Sequence, residues 1–409
     1  MPVMLPKDFL EKYEIRHLEK EKYAGFILEM DYKTNHIYDV VLDNREKQKW
    51  TVTLIRKKLE APICHTSKEY DFPDKLYQEH IQNAFAWGVF EKRKNGSPVA
   101  VIEMDPETWS NRLRVTEMWV HKDYRRQGLA TILMNVVKEH ARLSRNRAIM
   151  LETQSCNVAA IDFYRSCGFS LIGFDSCCYK NDDISRKEVR LEMGYLISKP
   201  KVDLQTLRIV PEEEIHKKES EVMCKLCFYN KFVPGCSEHL FLHELRKTDL
   251  YLPEFSRVAV LDGKIVGGIW YTKSHLKLNG KKINLATFGP LCVHPDWQSL
   301  GIGEKLVQET LPLVKAAGFP GVIICGEPDY YPRLGFKTCD NFGITTRDGK
   351  NFDAFMGLEF ENGNLSRYSG AKFYEIDIEK DLTPEKVCEF DKDFPALFKF
   401  RRPGQWQPI

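Results

Sequence analysis

Apolar and polar positions along this chain follow two rhythms, and one stretch joins them. From Asn111 to Val120 the period is two, which predicts a strand with Thr116, Met118 and Val120 facing one way and Val115, Glu117 and Trp119 the other. A turn follows, Arg125-Arg126-Gln127-Gly128-Leu129-Ala130, and the spacing then changes to three and four through Ile132, Leu133, Val136 and Val137. That spacing predicts a helix with one buried face, ending near Ser144-Arg145-Asn146. Ala148–Glu152 reads as the next strand, Val158–Cys167 as a helix with Asn157 as its N-cap, and Ser170–Tyr179 with Glu188–Leu196 as an antiparallel pair. Upstream, Ala84–Phe90 and Pro98–Met104 read as paired strands joined through Lys94-Asn95-Gly96. Residues 1 to about 75 yield only short strands at Tyr13–His17 and Trp50–Ile55, an extension to the first sheet.

The same order returns in the second half. A hairpin through Asp262-Gly263 joins Val258–Leu261 to Lys264–Tyr271. Ile283–Val293 is the next strand, followed by the turn Gln298-Ser299-Leu300-Gly301-Ile302-Gly303 and a helix through Leu306, Val307 and Leu311. Gly321–Cys325, Phe352–Phe360 and Lys372–Ile376 read as further strands. Val120-His121 aligns with Val293-His294 without a gap to the turn glycine. Tyr164-Arg165-Ser166-Cys167-Gly168-Phe169 is answered by Tyr331-Pro332-Arg333-Leu334-Gly335-Phe336. A repeat of strand, turn, helix, strand and tyrosine in one order is seldom accidental. The expected boundary is Ser198-Lys199-Pro200-Lys201, where proline bars regular structure. It divides the chain into domains 1–199 and 203–409. The second restarts at Leu207–Val210 with a helix from Glu212 to Phe228. It ends in a packed extension marked by Phe390, Phe394, Leu397 and Phe398.

A glycine turn between a strand and a helix gathers free backbone N–H groups and the positive end of a helix dipole at one point, an arrangement that binds phosphate. Gly128 and Ala130 keep side chains away, and Arg125 and Arg126 add positive charge. Both turns have Arg or Gln, two residues, Gly, one residue, then Gly or Ala. On these residues both halves resemble the GNAT-type N-acetyltransferases. The resemblance implies an α/β (α+β) chain of two tandem folds, each a mixed, mostly antiparallel sheet splayed at an acetyl-CoA motif and flanked by helices. It implies acetyl-CoA held by Met118, Trp119, Val120, Arg125, Arg126, Gln127, Gly128, Leu129, Ala130, Thr131 and Asn157. In the second half the holders are Leu291, Cys292, Val293, Gln298, Ser299, Leu300, Gly301, Ile302, Gly303 and Glu304.

Composition narrows the partners. Lys and Arg total 60 against 58 Asp and Glu, a net charge of +2 without a basic block, which argues against nucleic acid. No apolar run reaches membrane-spanning length, and Met1 to Glu14 lacks the order of a signal peptide, so a cytoplasmic protein is expected. Cys167, Cys292 and Cys325 lie in apolar surroundings, as reduced thiols do. Cys224-Lys225-Leu226-Cys227 with Cys236, His239 and His243 offers zinc-ligand types, but the second Cys-x-x-Cys is missing and no metal is expected.

Moving an acetyl group from a thioester to an amine requires the carbonyl polarised, the amine deprotonated and the thiolate protonated. The edge of Met118–Val120 can offer an N–H to the carbonyl, and Tyr164 is suited to giving the thiolate its proton. Glu117 on the motif strand and Glu152 on its neighbour are both candidates for the base. Leu151-Glu152, Asn157, Tyr164 and Gly168-Phe169 resemble the ribosomal-protein alanine acetyltransferases, in which the glutamate at the Glu152 position is the base. On physical grounds Glu117 is the other candidate, since it can also attract a cationic amine, and the two stay open.

Over residues 70 to 197 the likeness extends further. Trp109-Ser110-Asn111-Arg112, Glu117, Leu151-Glu152-Thr153-Gln154, Asn157, Cys167-Gly168-Phe169, Gly173, Asp175 and Tyr179 are similar to streptothricin acetyltransferases. This implies acetylation of the β-lysine amine of streptothricin-type antibiotics, hence resistance, with Trp109, Asn111 and Asp162 on the substrate side. Amine groups of proteins are the alternative acceptor. The second half departs from the pattern: Pro290 stands where Glu117 aligns, and no asparagine matches Asn157. Cys325-Gly326-Glu327-Pro328-Asp329-Tyr330-Tyr331 and Phe352–Glu359 look like a broad class of small-molecule acetyltransferases, with Tyr331 as acid and Glu327 as a weaker base. A non-catalytic acyl-CoA-binding second domain is the other reading.

Overall fold

The computed structural model describes residues 6–46, 48–66, 73–94, 96–197, 204–375, 378, 382–395, 397 and 399–405. The expected boundary at Ser198–Lys201, Asn95 of the expected turn, Ile376 and Phe398 lie outside them. Two compact units form, one from Pro2–Ser198 with Leu397–Trp406, the other from Lys199–Ala396. Among the described residues no helix is long and apolar enough to cross a membrane.

In the first unit the strands are β1 (Tyr13–Leu18), β2 (Tyr32–Glu46), β3 (Lys49–His65), β4 (Phe85–Glu91), β5 (Ala100–Glu107), β6 (Arg112–Val120), β7 (Ala148–Gln154), β8 (Ser170–Asp175) and β9 (Arg190–Leu196). Seven make one sheet in the order β1-β4-β5-β6-β7-β9-β8. Only β6 and β7 run parallel, and their pairing lasts from Arg112 to Val115 against Ala148 to Leu151. Beyond that point β6 continues on β5 alone and β7 on β9 alone, so the two part. The helix Leu129–Leu143 buries Leu129, Leu133, Val136 and Val137 against this sheet, the face that the three-and-four spacing predicts.

One expectation is corrected on β6. The register with β5 slips between Glu103 and Met104, so Thr116 is an extra residue, a β-bulge. Alternation restarts there. Val115 therefore shares a core with Met118 and Val120, while Trp119 packs on the opposite side with Leu28 and Phe90.

The segment 32–65 is also more than an N-terminal extension. β2 and β3 form a long antiparallel ribbon. Val40 and Leu54 set it on the first core, and Tyr38 N donates to Ser155 O at 2.8 Å. Asp39 receives Lys57 at 2.6 Å and Lys187 at 2.8 Å.

In the second unit the strands are β10 (Arg208–Pro211), β11 (Arg257–Leu261), β12 (Lys264–Leu278), β13 (Lys281–Val293), β14 (Gly321–Cys325), β15 (Lys337–Thr338), β16 (Thr345–Thr346), β17 (Phe355–Glu359) and β18 (Lys372–Tyr374). Their order is β10-β11-β12-β13-β14-β17-β15, with β18 pairing both β12 and β16. Asp262 and Gly263 both take positive φ in the β11–β12 turn, as a two-residue hairpin requires. Parallel β13 and β14 meet only at Ala286 and Val322. A register slip between Ile269 and Tyr271 places Gly289 and Pro290 where Thr116 and Glu117 stand in the first unit.

The last described residues group with the first unit rather than with the 203–409 domain. Phe400 is buried with its ring edge-on to Trp87 at 5.4 Å, and Trp87 Nε1 donates to Arg401 O at 3.0 Å. Burial and the adjacent Arg402 charge push His140 down to about 3, so its neutral ring accepts from Arg402 Nε at 3.2 Å. Phe400→Ala is expected to lower the stability of the first unit by about 3 kcal/mol. The check is hydrogen exchange of the β4 and β5 amides in the full chain, which should quicken while β12 is unchanged.

Candidate functional site

The two turns share one backbone path. Gly128 has φ 82° and ψ −2°, and Gly301 has φ 83° and ψ −3°. Arg126 and Ser299, two residues earlier in each, are also left-handed at 64° and 62°. Each turn is entered the same way: His121 Nδ1 accepts from Asp123 N, and His294 Nδ1 from Asp296 N, both at 3.3 Å. The first motif position has a common role. Arg125 Nε donates to Val120 O at 3.2 Å and Gln298 Nε2 to Val293 O at 3.0 Å, so either side chain ties the turn to the last carbonyl of its strand.

The first helical hydrogen bond in the first unit runs from Ile132 N to Gly128 O at 3.1 Å. The amides of Leu129, Ala130 and Thr131 precede that ladder and are available to an anion, with the dipole of a 15-residue helix behind them. A side chain at Gly128 would meet nothing within 4 Å, so the approach is open. Pyrophosphate fits this cradle.

Where β6 and β7 part, a cavity of about 1300 Å³ opens. Its lining includes Glu117, Met118, Trp119, Val120, Arg125, Arg126, Gly128, Leu129, Ala130, Thr131, Glu152, Asn157, Asp162 and Tyr164. Fourteen expected site residues are thus gathered in one place. Gln127 is not: its side chain turns away to accept from Tyr13 Oη at 2.9 Å and donate to Asp123 O at 3.2 Å. Trp109 and Asn111 are outside too, at the start of β6, the end remote from the parting. Trp109 is exposed beneath the Arg112 guanidinium, and Asn111 is left-handed and donates to Arg145 O.

The two glutamates differ in their partners. Glu152 is held by Arg190 at 2.5 Å and Arg114 at 3.6 Å, an ion-paired strand carboxylate. Glu117 receives only Gln78 Nε2, at 3.3 Å, and among the described residues no cation pairs with it. Burial pushes its carboxyl well above the usual range, and the charges of Asp74 and Glu103 push it further. Asn157 caps the helix Val158–Ser166 by accepting from Ala160 N at 3.2 Å. Tyr164 sits on that helix between Phe163 and Phe169. Burial and the Glu117 charge raise its phenol, which therefore keeps its proton. Asp162 pairs with Arg56 of β3 at 3.2 Å.

Residue-type reasoning missed a whole wall of this cavity. Tyr32, Lys33, Thr34, Asn35, His36 and Arg56 come from the β2–β3 ribbon, and Asp74 from the segment before β4. Alternation from Trp50 onward was the signal for the ribbon, hidden by its run of lysines and arginines.

The second unit is built differently at the corresponding points. The hydroxyl of Tyr330 would lie 2.7 Å from a Cβ at Gly303, so that ring stands over the start of the helix, with Arg333 stacked on it at 4.2 Å. Glu304 puts a negative charge in the first helical turn, where Thr131 stands in the first unit. Tyr331 is enclosed by Phe288, Phe336 and Gly326. Glu327 pairs with Lys231 at 3.2 Å. Cys292 turns away from the turn toward Met223, with sulfur atoms 3.6 Å apart. Among the described residues no group of three or more His, Cys, Asp or Glu is set to hold a metal ion.

Residues 55–169 match the acetyltransferase (GNAT) family and residues 253–338 an acetyltransferase (GNAT) domain. The uncharacterized N-acetyltransferase YjhQ of Escherichia coli K12 is 32% identical over 87 residues, 21% of this chain and 48% of that protein. Streptothricin acetyltransferase A of Bacillus subtilis is 33% identical over 73 residues, 18% of this chain and 42% of that protein. The chain thus spans about half the length of these curated relatives or less. A crystal structure of nourseothricin acetyltransferase superposes with a TM-score of 0.36 at 21% identity, over 46% of this chain and 99% of the other.

A carboxyl raised by folding favours the folded state at low pH, and the advantage is lost as pH rises through the raised value. Above that value the fold must carry a buried, unpaired charge. Glu117→Gln is therefore expected to stabilise the first unit at pH 8, by about 1 to 3 kcal/mol, and to have little effect near pH 4. Thermal unfolding of both proteins across that range measures it.

Proposed function

The chain belongs, in two successive stretches, to the GNAT acetyltransferase family, and on that footing we propose that the first unit is an acetyl-CoA-dependent N-acetyltransferase acting on a primary amine of a cationic small molecule. One observation carries this reading: Glu117, without a cationic partner, lines the same cavity as Tyr164 and the open amides after Gly128. The coenzyme, when bound, supplies the acetyl group as a thioester. The amides of Leu129, Ala130 and Thr131 hold its diphosphate, with Arg126 adding charge, and the unpaired edge of Met118–Val120 offers N–H groups to the arm and the carbonyl. Glu117 takes a proton from the incoming ammonium. Tyr164, kept protonated by its buried surroundings, gives one to the departing sulfur. Glu152 ties β7 to β6 and β9 through Arg114 and Arg190 rather than acting as base.

Streptothricin-type antibiotics are the acceptor we favour, on the names of the similar relatives and on the unpaired carboxylate in the cleft. Resistance is the role this implies, in the cytoplasm where acetyl-CoA is made. Function divides at the linker between residues 199 and 203. The second unit has a different part: Tyr330 over Gly303, Glu304 in the first turn and Pro290 in place of Glu117 favour a non-catalytic or weakly binding partner domain.

Thiol release from acetyl-CoA with streptothricin, and with a panel of peptides bearing free N-termini and lysines, tests the acceptor. Consumption of peptides instead would move the activity to protein amines. Glu117→Gln and Tyr164→Phe should each lower kcat about 10²- to 10⁴-fold, whereas Tyr331→Phe should leave the rate unchanged. Because the base works deprotonated and its carboxyl is raised, kcat/KM should fall on the acid side above the ordinary carboxylate range. In Glu117→Gln that limb should vanish.

A further inference from the structure

The carboxylates around the first cleft are not equivalent. Glu152 and Asp162 have guanidinium partners, as described. Glu103 is fully buried and satisfied, receiving Tyr77 N at 2.6 Å and Thr116 Oγ1 at 2.8 Å. Asp74 and Glu117 both line the cavity, and among the described residues neither is paired with a cation.

Asp74 is held in place by its main chain. Its carbonyl accepts from Leu28 N at 2.8 Å, Leu76 N donates to Phe26 O at 3.0 Å, and Ile27 bridges Lys75. The Tyr77–Glu103 bond fastens the same segment to β5, and Gln78, one residue on, donates to Glu117 itself. Two carboxylates without a cationic partner among the described residues thus line one space, Asp74 from this segment and Glu117 from β6. Like charges so placed repel unless a cation lies between them.

A primary amine with a pKa near about 10 reaches the protein almost wholly as ammonium at neutral pH. It has to be bound in that form before it can lose a proton. Glu117 cannot both accept that proton and remain the counter-charge, so the second carboxylate has a distinct use. We propose that Asp74 is the acceptor's anchor in the first cleft, its carboxylate receiving the ammonium and presenting it to Glu117. The proton then passes from nitrogen to Glu117, leaving neutral amine beside neutral Glu117 with Asp74 still charged. This inference rests on reading the first unit as an N-acetyltransferase.

Around Glu117 the facing groups are Asp74, Gln78, Glu103 on β5, Glu152 on β7 and Tyr164 on the helix after β7. Removing the Asp74 charge removes one of the negative charges that hold the Glu117 carboxyl up. The acid limb of kcat/KM in Asp74→Asn should therefore move to lower pH.

The test is steady-state kinetics of Asp74→Asn in the full chain, with streptothricin as a cationic acceptor and hydroxylamine as one that is neutral at pH 7.5. KM for streptothricin should rise about tenfold or more, with kcat within about threefold, KM for hydroxylamine nearly unchanged, and partial rescue in Asp74→Glu. Equal loss with both acceptors, or loss confined to kcat, overturns the anchor. A second measurement needs no turnover. With carboxyl-13C aspartate, the resonance absent from Asp74→Asn should shift saturably with n-butylammonium chloride and not with sodium chloride at equal ionic strength. A resonance indifferent to the ammonium overturns the proposal even if the variant folds poorly. Should wild-type protein take up no acetyl-CoA by calorimetry, the enzyme reading falls. Should it take up the coenzyme while Asp74→Asn behaves as wild type, only the anchor falls.

Discussion

Two parallel strands that begin paired and then separate impose the constraint on which the rest of the first unit depends. Backbone N–H and C=O groups must find partners, and beyond Val115 one side of β6 has lost its strand. The fold provides for this locally. The bulge at Thr116 re-aims the strand, Arg125 satisfies the terminal carbonyl of Val120, and the left-handed Gly128 starts a helix whose first amides point into the gap. The unsatisfied main chain is thereby concentrated in one cavity, as a binding surface for a ligand rich in oxygen and amide groups.

The second unit repeats that backbone to within a few degrees at the turn and fills it differently. Glycine at 301 follows from a φ of 83°, which side chains rarely adopt. Glycine at 303 has another cause, the Tyr330 ring that leaves no room for a Cβ. Similar motif letters therefore arise from different physical needs: one accommodates an approach from outside, the other an internal side chain.

Much of the sheet order was legible in the sequence because strand and helix periods differ and each core face is continuous. The motif turns were legible because left-handed positions admit few residues. The face of Trp119 was not, since a bulge inserts a residue without any compositional mark. Nor was the ribbon, whose exposed face is so charged that its alternation is diluted: Trp50 remains exposed while Leu54 reaches the core. Trp109 and Asn111 fell outside the cleft because nearness in sequence to β6 says nothing about which end of the strand a residue occupies. What distinguishes Glu152 from Glu117 is its guanidinium partners from β6 and β9, and such cross-strand neighbours appear only once the register is known.

The tail that lies over Trp87 has a bearing on how the polypeptide is made. Phe400 and Arg402 come some three hundred positions after β4 and β5 in the sequence, yet they complete the core that those strands begin. During synthesis the aromatic surface around Trp87 stays uncovered until the segment that bears Phe400 has emerged from the ribosome. A cut between residues 199 and 203 would therefore part the first unit from residues that help to pack it.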